Sequence, residues 1–259
     1  MDTTDQIAFM RRIRTALGHA PDIARKVPEL FAEAPSAEDL QLLDRIRQRS
    51  SAERQALFAQ LVEAGRPLRL NVTPVADAPA AAQAVLGLIE AKSPEWGTRK
   101  SVAAWRHPVI EGLQLGPALS ARDIPLHLSD PIDPAADPAC DQAERGRQRA
   151  ALIESFIGLT SADFCMADTA TLVMRNRPGQ PRSVALVPSI HVAVIALDQI
   201  LVDMKELFAL LRWDEHFRAE GLTHYMSFIS GPSKTADIEA TMVHGAHGPR
   251  EVHLFVVSG

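Results

Sequence analysis

Apolar positions near the start of the chain recur at three- and four-residue spacings, at Ile7, Met10, Ile13 and Leu17, and Gly18 follows them. That period predicts a helix with a glycine stop. A connector bearing Pro21, Pro28 and Pro35 comes next, then SAEDLQLLDRIRQRSSAERQALFAQLVEAG, with Ser36 as N-cap, Glu38 and Asp39 in the first turn and Gly65 at the end. Acids near a helix start and a glycine at its end both suit the helix dipole and capping geometry. Residues 1–65 are therefore expected to form an N-terminal helical extension, and residues 66–259 an α/β domain.

Beyond residue 65 the pattern alternates. RLNVTPV reads as a strand, APAAAQAVLGLIEAK as a helix, SVAAW as a strand, HPVIEGLQLGPALSARD as helical and IPLHL as a strand. SDPIDPAADPACD, with its prolines and aspartates, breaks regular structure, and QAERGRQRAALIESFIGL resumes a helix. FCMADTATLVMR and SVALVPSIHVAVIA are β-like and separated by the turn NRPGQPR; the second is expected to run strand, bend at VPS, strand, with His191 opening the latter. QILVDMKELFALLR predicts an amphipathic helix, THYMSFI a strand leading into SGPSK, and VHLFVV the last strand. Alternating strands and helices predict layered α/β architecture.

Composition narrows the function classes. With 259 residues, 46% of them hydrophobic, the chain can bury a sizeable core. A net charge of -5 and the absence of dense Lys or Arg runs exclude a general attraction to nucleic acid or an anionic membrane surface. No stretch approaches the roughly 20 apolar residues of a membrane span. The first residues lack the basic start and unbroken apolar run of a secretory signal, so a cytoplasmic location is expected. Two cysteines, Cys140 and Cys165, form no disulfide framework and cannot supply the four thiolates an iron–sulfur cluster usually takes. A GxGxxG fingerprint for a dinucleotide is absent as well. No cofactor is expected.

Candidate chemistry concentrates near the C-terminus. SGPSK followed by TADIEATMV reads as a strand, loop and helix start, where free N–H groups favour an anion. Ser233 or Thr235 would cap the helix, Gly231 would admit a ligand close to the backbone, and Lys234 would add charge. HGAHGPRE, the second loop, carries His244, His247, Gly248 and Arg250. Arg250 suits either a ligand anion or a clamp on a neighbouring carboxylate. His244 and His247 invite a metal, but a site needs a third ligand, for which His191, Asp168 and His253 are unplaced candidates; no metal is expected. Asp168, flanked by Thr169 and Thr171 in a β-like run, is either a functional carboxylate or a turn residue bonded to the threonine hydroxyls.

LTSADFCMADTATLV, RSVALVPSIHVAVI, ISGPSKTADIE and HGAHGPREVHLFVV together resemble, in order and spacing, the lactate-utilisation (LUD) family of the lactate utilisation protein C type. The resemblance covers about residues 65–259. It implies a three-layer α/β/α fold related to sugar-phosphate isomerases, CoA-transferases and formyltetrahydrofolate cyclo-ligases, with ligands at strand C-termini. Members read acid, Thr or Ser, Gly, Thr where this chain has Asp168, Thr169, Ala170 and Thr171. The family also implies cytoplasmic oxidation of L-lactate to pyruvate alongside two iron–sulfur partner proteins.

Two functions follow from these expectations. In the first, the chain is a cluster-free accessory or regulatory component of that system and holds a small organic anion. Thr169, Thr171, Ser230, Gly231, Ser233, Lys234, Thr235, His247, Gly248 and Arg250 would line one pocket with Asp168. In the second, it is an acyl-transfer or sugar-phosphate enzyme with Asp168 and His191 as catalytic groups.

Overall fold

A computed structural model describes residues 3–19, 34–131, 138–220, 225–236 and 242–259. The chain divides into two compact units, Met1–Ser36 and Ala37–Gly259. In the first, the expected helix is α1 (Thr3–Ala16).

The second unit opens with α2 (Ala37–Arg47) and α3 (Ser51–Gly65). The long helix expected here is broken before Ser50, whose hydroxyl accepts from the Glu53 N–H while Glu53 returns a bond to the Ser50 N–H. This capping box starts a helix of its own. Then come β1 (Leu70–Val75), α4 (Ala78–Ala91), β2 (Val102–Trp105), α5 (Pro108–Gly112), α6 (Leu115–Ser120) and β3 (Leu126–Ser129). Asp77 caps α4 by accepting from the Ala80 N–H at 2.8 Å. Ala81, Val85 and Ile89, four apart, give α4 one fully buried stripe.

The chain continues through α7 (Pro138–Glu154), β4 (Ile157–Thr160), β5 (Phe164–Met166), β6 (Thr171–Arg175), α8 (Ser183–Leu186), β7 (Ile190–Ala196), β8 (Ile200–Leu201), α9 (Met204–Trp213) and α10 (Glu215–Glu220). It closes with β9 (Met226–Ile229), β10 (Lys234–Ala236), β11 (Met242–His244) and β12 (Glu251–Val257).

Six strands form one sheet in the order β1-β12-β7-β4-β2-β3, every pair parallel. Burial on both faces explains why β4 and β7 read as continuous apolar runs. On one face pack α4, α5 and α6, through Val85, Ile110 and Leu119 against Val192, Val194 and Phe255. The other face, with Ala193, Ile195, Val252 and Leu254, meets α3, α8 and a second sheet, β8-β5-β6-β9. Beyond that sheet lie α2 and α9, which cover Phe164, Met166 and Val173. The architecture is α/β, a parallel sheet flanked by helices, with a four-stranded sheet added to the layers the sequence predicted.

Several local expectations change. Helices α2 and α3 belong to the core: Leu61 is fully buried beside Leu70 and Leu254, and Leu42 and Leu43 lie against Phe164 and α9. The compact division therefore falls after Ser36, where the sequence placed a boundary at residue 65. FIGL, assigned to a helix, provides β4, because Ile157 and Leu159 are needed between β2 and β7. SVAL, read as a strand, is the short helix α8. HPVIEGLQLGPALSARD splits into α5 and α6 at Gln114, whose φ of 49° is left-handed. The helix expected to begin at Ser233 or Thr235 is absent from residues 234–236: β10 stands there, and Lys234 pairs with His244, Thr235 with Val243 and Ala236 with Met242. A ladder partner six to ten residues away, invisible to a local period, satisfies those backbone groups instead. Residues 237–241 of the expected helix lie outside the described residues. Among the described residues no helix is long and apolar enough to cross a membrane.

Candidate functional site

The turn between β5 and β6 carries Asp168, Thr169, Ala170 and Thr171. Its entry is pinned to the end of β8, with the Ala167 and Asp168 N–H groups donating to the carbonyls of Leu201 and Val202 at 2.8 and 3.1 Å. Asp168 and Thr169 are exposed and Thr171 is buried. A line of hydroxyls links this turn to Ser230: Thr169 Oγ1 donates to Asp168 Oδ1 at 3.0 Å, Thr171 Oγ1 lies 3.0 Å from Thr169 Oγ1, and 2.7 Å separate Thr171 Oγ1 from Oγ of the exposed Ser230. Ala170 takes a φ of 46°, a left-handed state that suits glycine.

Ser230 follows β9 and begins the SGPSK loop. At Gly231, φ is 84°, and a Cβ would stand 2.6 Å from the Leu68 carbonyl. The close approach that Gly231 permits is to the chain itself. Ser233 joins the two loops, its N–H donating to the Pro249 carbonyl at 2.8 Å and its carbonyl accepting from Gly245 at 3.0 Å. Gly248 faces Ser233, whose Cβ lies 3.3 Å from where a Gly248 side chain would begin. The SGPSK and HGPR segments thus meet, and a hydroxyl line links them to Asp168.

They do not meet where the fold relationship implied. Pro249 and Arg250 lead into β12, and the Arg250 N–H donates to the carbonyl of Ser189, which leads into β7. This is the N-terminal edge of the parallel sheet, the end opposite to the strand C-termini. The loops are connected through strand entries, so the rule for C-terminal crevices does not apply to them.

The remaining predicted residues are dispersed. His191 is fully buried inside the sheet, its Nε2 bonded to Thr160 Oγ1 at 2.8 Å. Burial, with the nearby His253, pushes its pKa down to about 3, so it is neutral. Buried in this way, it is bonded to Thr160, while Asp168 stands exposed at a turn. Arg250 reaches Glu95, Nη1 to Oε1 at 2.9 Å. Its stem crosses Gly245, where a Cβ would sit 2.1 Å from Arg250 Cγ. His247 is exposed, and Lys234 is half-buried. The side chains of Thr235 and His244 lie outside the described residues. His253, on β12, bonds Glu251 at 2.9 Å, and its own pKa is lowered by burial against the pull of that carboxylate. Among the described residues no group of three His, Cys, Asp or Glu is placed to hold a metal.

Sequence reasoning passed over Glu95, Ser189 and a buried ionic cluster. Arg175 and Arg177 share the carboxylates of Asp163 and Glu220, with Arg175 only 1% exposed and stacked 4.9 Å from the Phe217 ring. Burial opposes the Arg177 charge, but the bonds to Glu220 and Asp163 win and hold its pKa above the ordinary value. The one available signal was an arginine ending the apolar run TLVMR, since a buried cation demands acids.

The LUD-domain sequence model matches residues 59–257, more than three quarters of the chain. The chain belongs to the LUD-domain family. Relatives of this LUD domain include lactate utilization protein C of Halalkalibacterium halodurans, 38% identical over 104 residues, covering 39% of this chain and 44% of that protein. The lactate utilization protein C of Exiguobacterium sp. is 34% identical over 120 residues, 45% of this chain and 50% of the relative. An uncharacterized protein of Neisseria meningitidis is 32% identical over 100 residues, 39% of this chain and 41% of that one. The LUD domain thus spans about half the length of the curated relatives it matches. A crystal structure of a DUF162-family protein from Deinococcus radiodurans, 20% identical, covers 80% of this chain and 98% of that one with a TM-score of 0.47.

Proposed function

We propose that this LUD domain is a component of a lactate-utilization system that binds a small organic anion and carries no iron–sulfur cluster of its own, with electron transfer left to iron–sulfur partner proteins. The observation that carries the anion reading is the hydroxyl line from Thr169 through Thr171 to Ser230, which runs into the loop bearing Ser233 and Lys234. Hydroxyls beside a cation suit a carboxylate or phosphate oxygen. The names of the relatives support the lactate assignment. Cys165 supports the cluster-free reading: fully buried, its thiol is pushed well above the usual value and makes a poor metal ligand. The separation of Asp168 and His191, one at an exposed turn and one sealed in the core, favours a binding role over catalysis by that pair.

Binding of L-lactate and inorganic phosphate to the parent chain, Lys234→Ala and Ser233→Ala tests the site. Lys234→Ala is expected to weaken binding about tenfold, the loss typical of one hydrogen bond to a charged group. Equal binding by all three chains would remove this site. Co-purification with cysteine-rich, iron-containing proteins tests the system role, and turnover of a CoA ester or phosphosugar by the isolated chain would replace it with the enzyme alternative.

A further inference from the structure

Both oxygens of the Glu95 carboxylate are gripped. Arg250 Nη1 holds Oε1 at 2.9 Å and Ser189 Oγ donates to Oε2 at 3.1 Å. These two donors are fixed to each other, because the Arg250 N–H bonds the Ser189 carbonyl at 2.8 Å where the adjacent parallel strands β7 and β12 begin. Gly245 holds the Arg250 stem from the other side. The receptor is therefore built on the rigid sheet, whereas its occupant comes from the irregular segment 92–101 between α4 and β2. Trp96, next to Glu95, is 82% exposed.

The donors line a cleft of about 430 Å³, whose other walls include Arg69, Lys92 and Glu251. Lys92 is bonded to Glu251 at 2.6 Å. With Glu251 paired to Lys92, removing Glu95 leaves the Arg250 guanidinium without the carboxylate that holds it, a charge that attracts an anion. With Glu95 in place the Arg250 pair is still half exposed, and an ion pair in that setting contributes little stability. Exchange of one carboxylate for another is correspondingly cheap.

We infer that Arg250 and Ser189 form a seat for a small monocarboxylate, and that Glu95 fills this seat in cis until a free carboxylate displaces it. The inference rests on the proposal that the domain binds an organic anion, and to the Lys234 site it adds a seat for a carboxylate at the entries of β7 and β12. Glu95 stands in for the ligand: one of its oxygens takes the guanidinium, the other the hydroxyl. Trp96 moves with Glu95 and reports the exchange.

The test uses sodium acetate and sodium L-lactate at constant ionic strength, titrated into the full chain by calorimetry with tryptophan fluorescence in parallel. Glu95→Ala is expected to lower the acetate dissociation constant about tenfold relative to the parent, by removing the internal competitor. Adding Arg250→Met to Glu95→Ala should abolish that gain. An acetate affinity unchanged by Glu95→Ala, a gain that survives Arg250→Met, or chloride binding as well as acetate would each overturn the seat. Lys234→Ala separates the two readings. If it weakens lactate binding while Glu95→Ala changes nothing, the seat falls and the Lys234 site stands; if only the Glu95 and Arg250 changes act, the seat stands and the Lys234 site falls.

Discussion

Thr171 Oγ1 and Ser230 Oγ lie 2.7 Å apart at the ends of two antiparallel strands, and this contact ties the turn carrying Asp168 to the SGPSK loop. Thr171 has a second partner in Thr169. Thr171→Val and Ser230→Ala are each expected to cost about 1 kcal/mol of stability, with the double variant costing less than the sum, because both remove one shared hydrogen bond. Urea denaturation of the four chains measures the coupling, and strict additivity would show that the hydroxyls do not interact.

Removal of residues 1–36 is expected to leave the melting temperature of the remaining unit nearly unchanged, whereas removal of 1–65 should prevent folding. The second deletion strips Leu42, Leu43, Leu57 and Leu61 from buried positions. At about 2 kcal/mol for each, their loss approaches the ~5–15 kcal/mol that holds a whole domain together. A cooperative melt from a chain starting at Arg66 would refute this.

His191 makes stability depend on acid. Its folded pKa, about 3, is below the ordinary 6.5, so the unfolded chain binds the extra proton between those values. The neutral ring's contribution is complete above pH 6.5 and is lost as pH falls towards 3, at up to about 1.4 kcal/mol per pH unit. His191→Asn, which can still bond Thr160, should flatten the fall in urea midpoint between pH 6.5 and 4. An identical slope in parent and variant would place the acid sensitivity elsewhere.

The cluster of Asp163, Arg175, Arg177 and Glu220 should be intolerant of single changes. Asp163→Ala leaves a guanidinium buried with too few acids and is expected to cost about 3 kcal/mol, and added salt should restore little of it because the pair is shielded from solvent. Guanidinium-free denaturation in urea, with and without potassium chloride, checks both statements. A loss below 1 kcal/mol would mean that water replaces the missing carboxylate.

Elements whose own side chains bury a stripe could be read from the sequence. Helix α4, with Ala81, Val85 and Ile89, and strands β7 and β12, with the apolar stretches VAVIA and LFVV, stand where the pattern placed them. The sequence also carried the family, because several motifs kept their order and spacing along most of the chain. Only the tertiary structure decided the rest. β10 is a strand because β11 pairs with it, and SVAL is a helix because the chain turns back over β4 before β7. Helices α2 and α3 are core because the second sheet and β1 need covering. Arg250 faces Glu95, 155 positions earlier, only because β12 and β7 enter the sheet side by side next to the segment that follows α4. Local periodicity records which face of an element is apolar. It holds no term for the partner that face will meet, and a polar group's role is set by that partner.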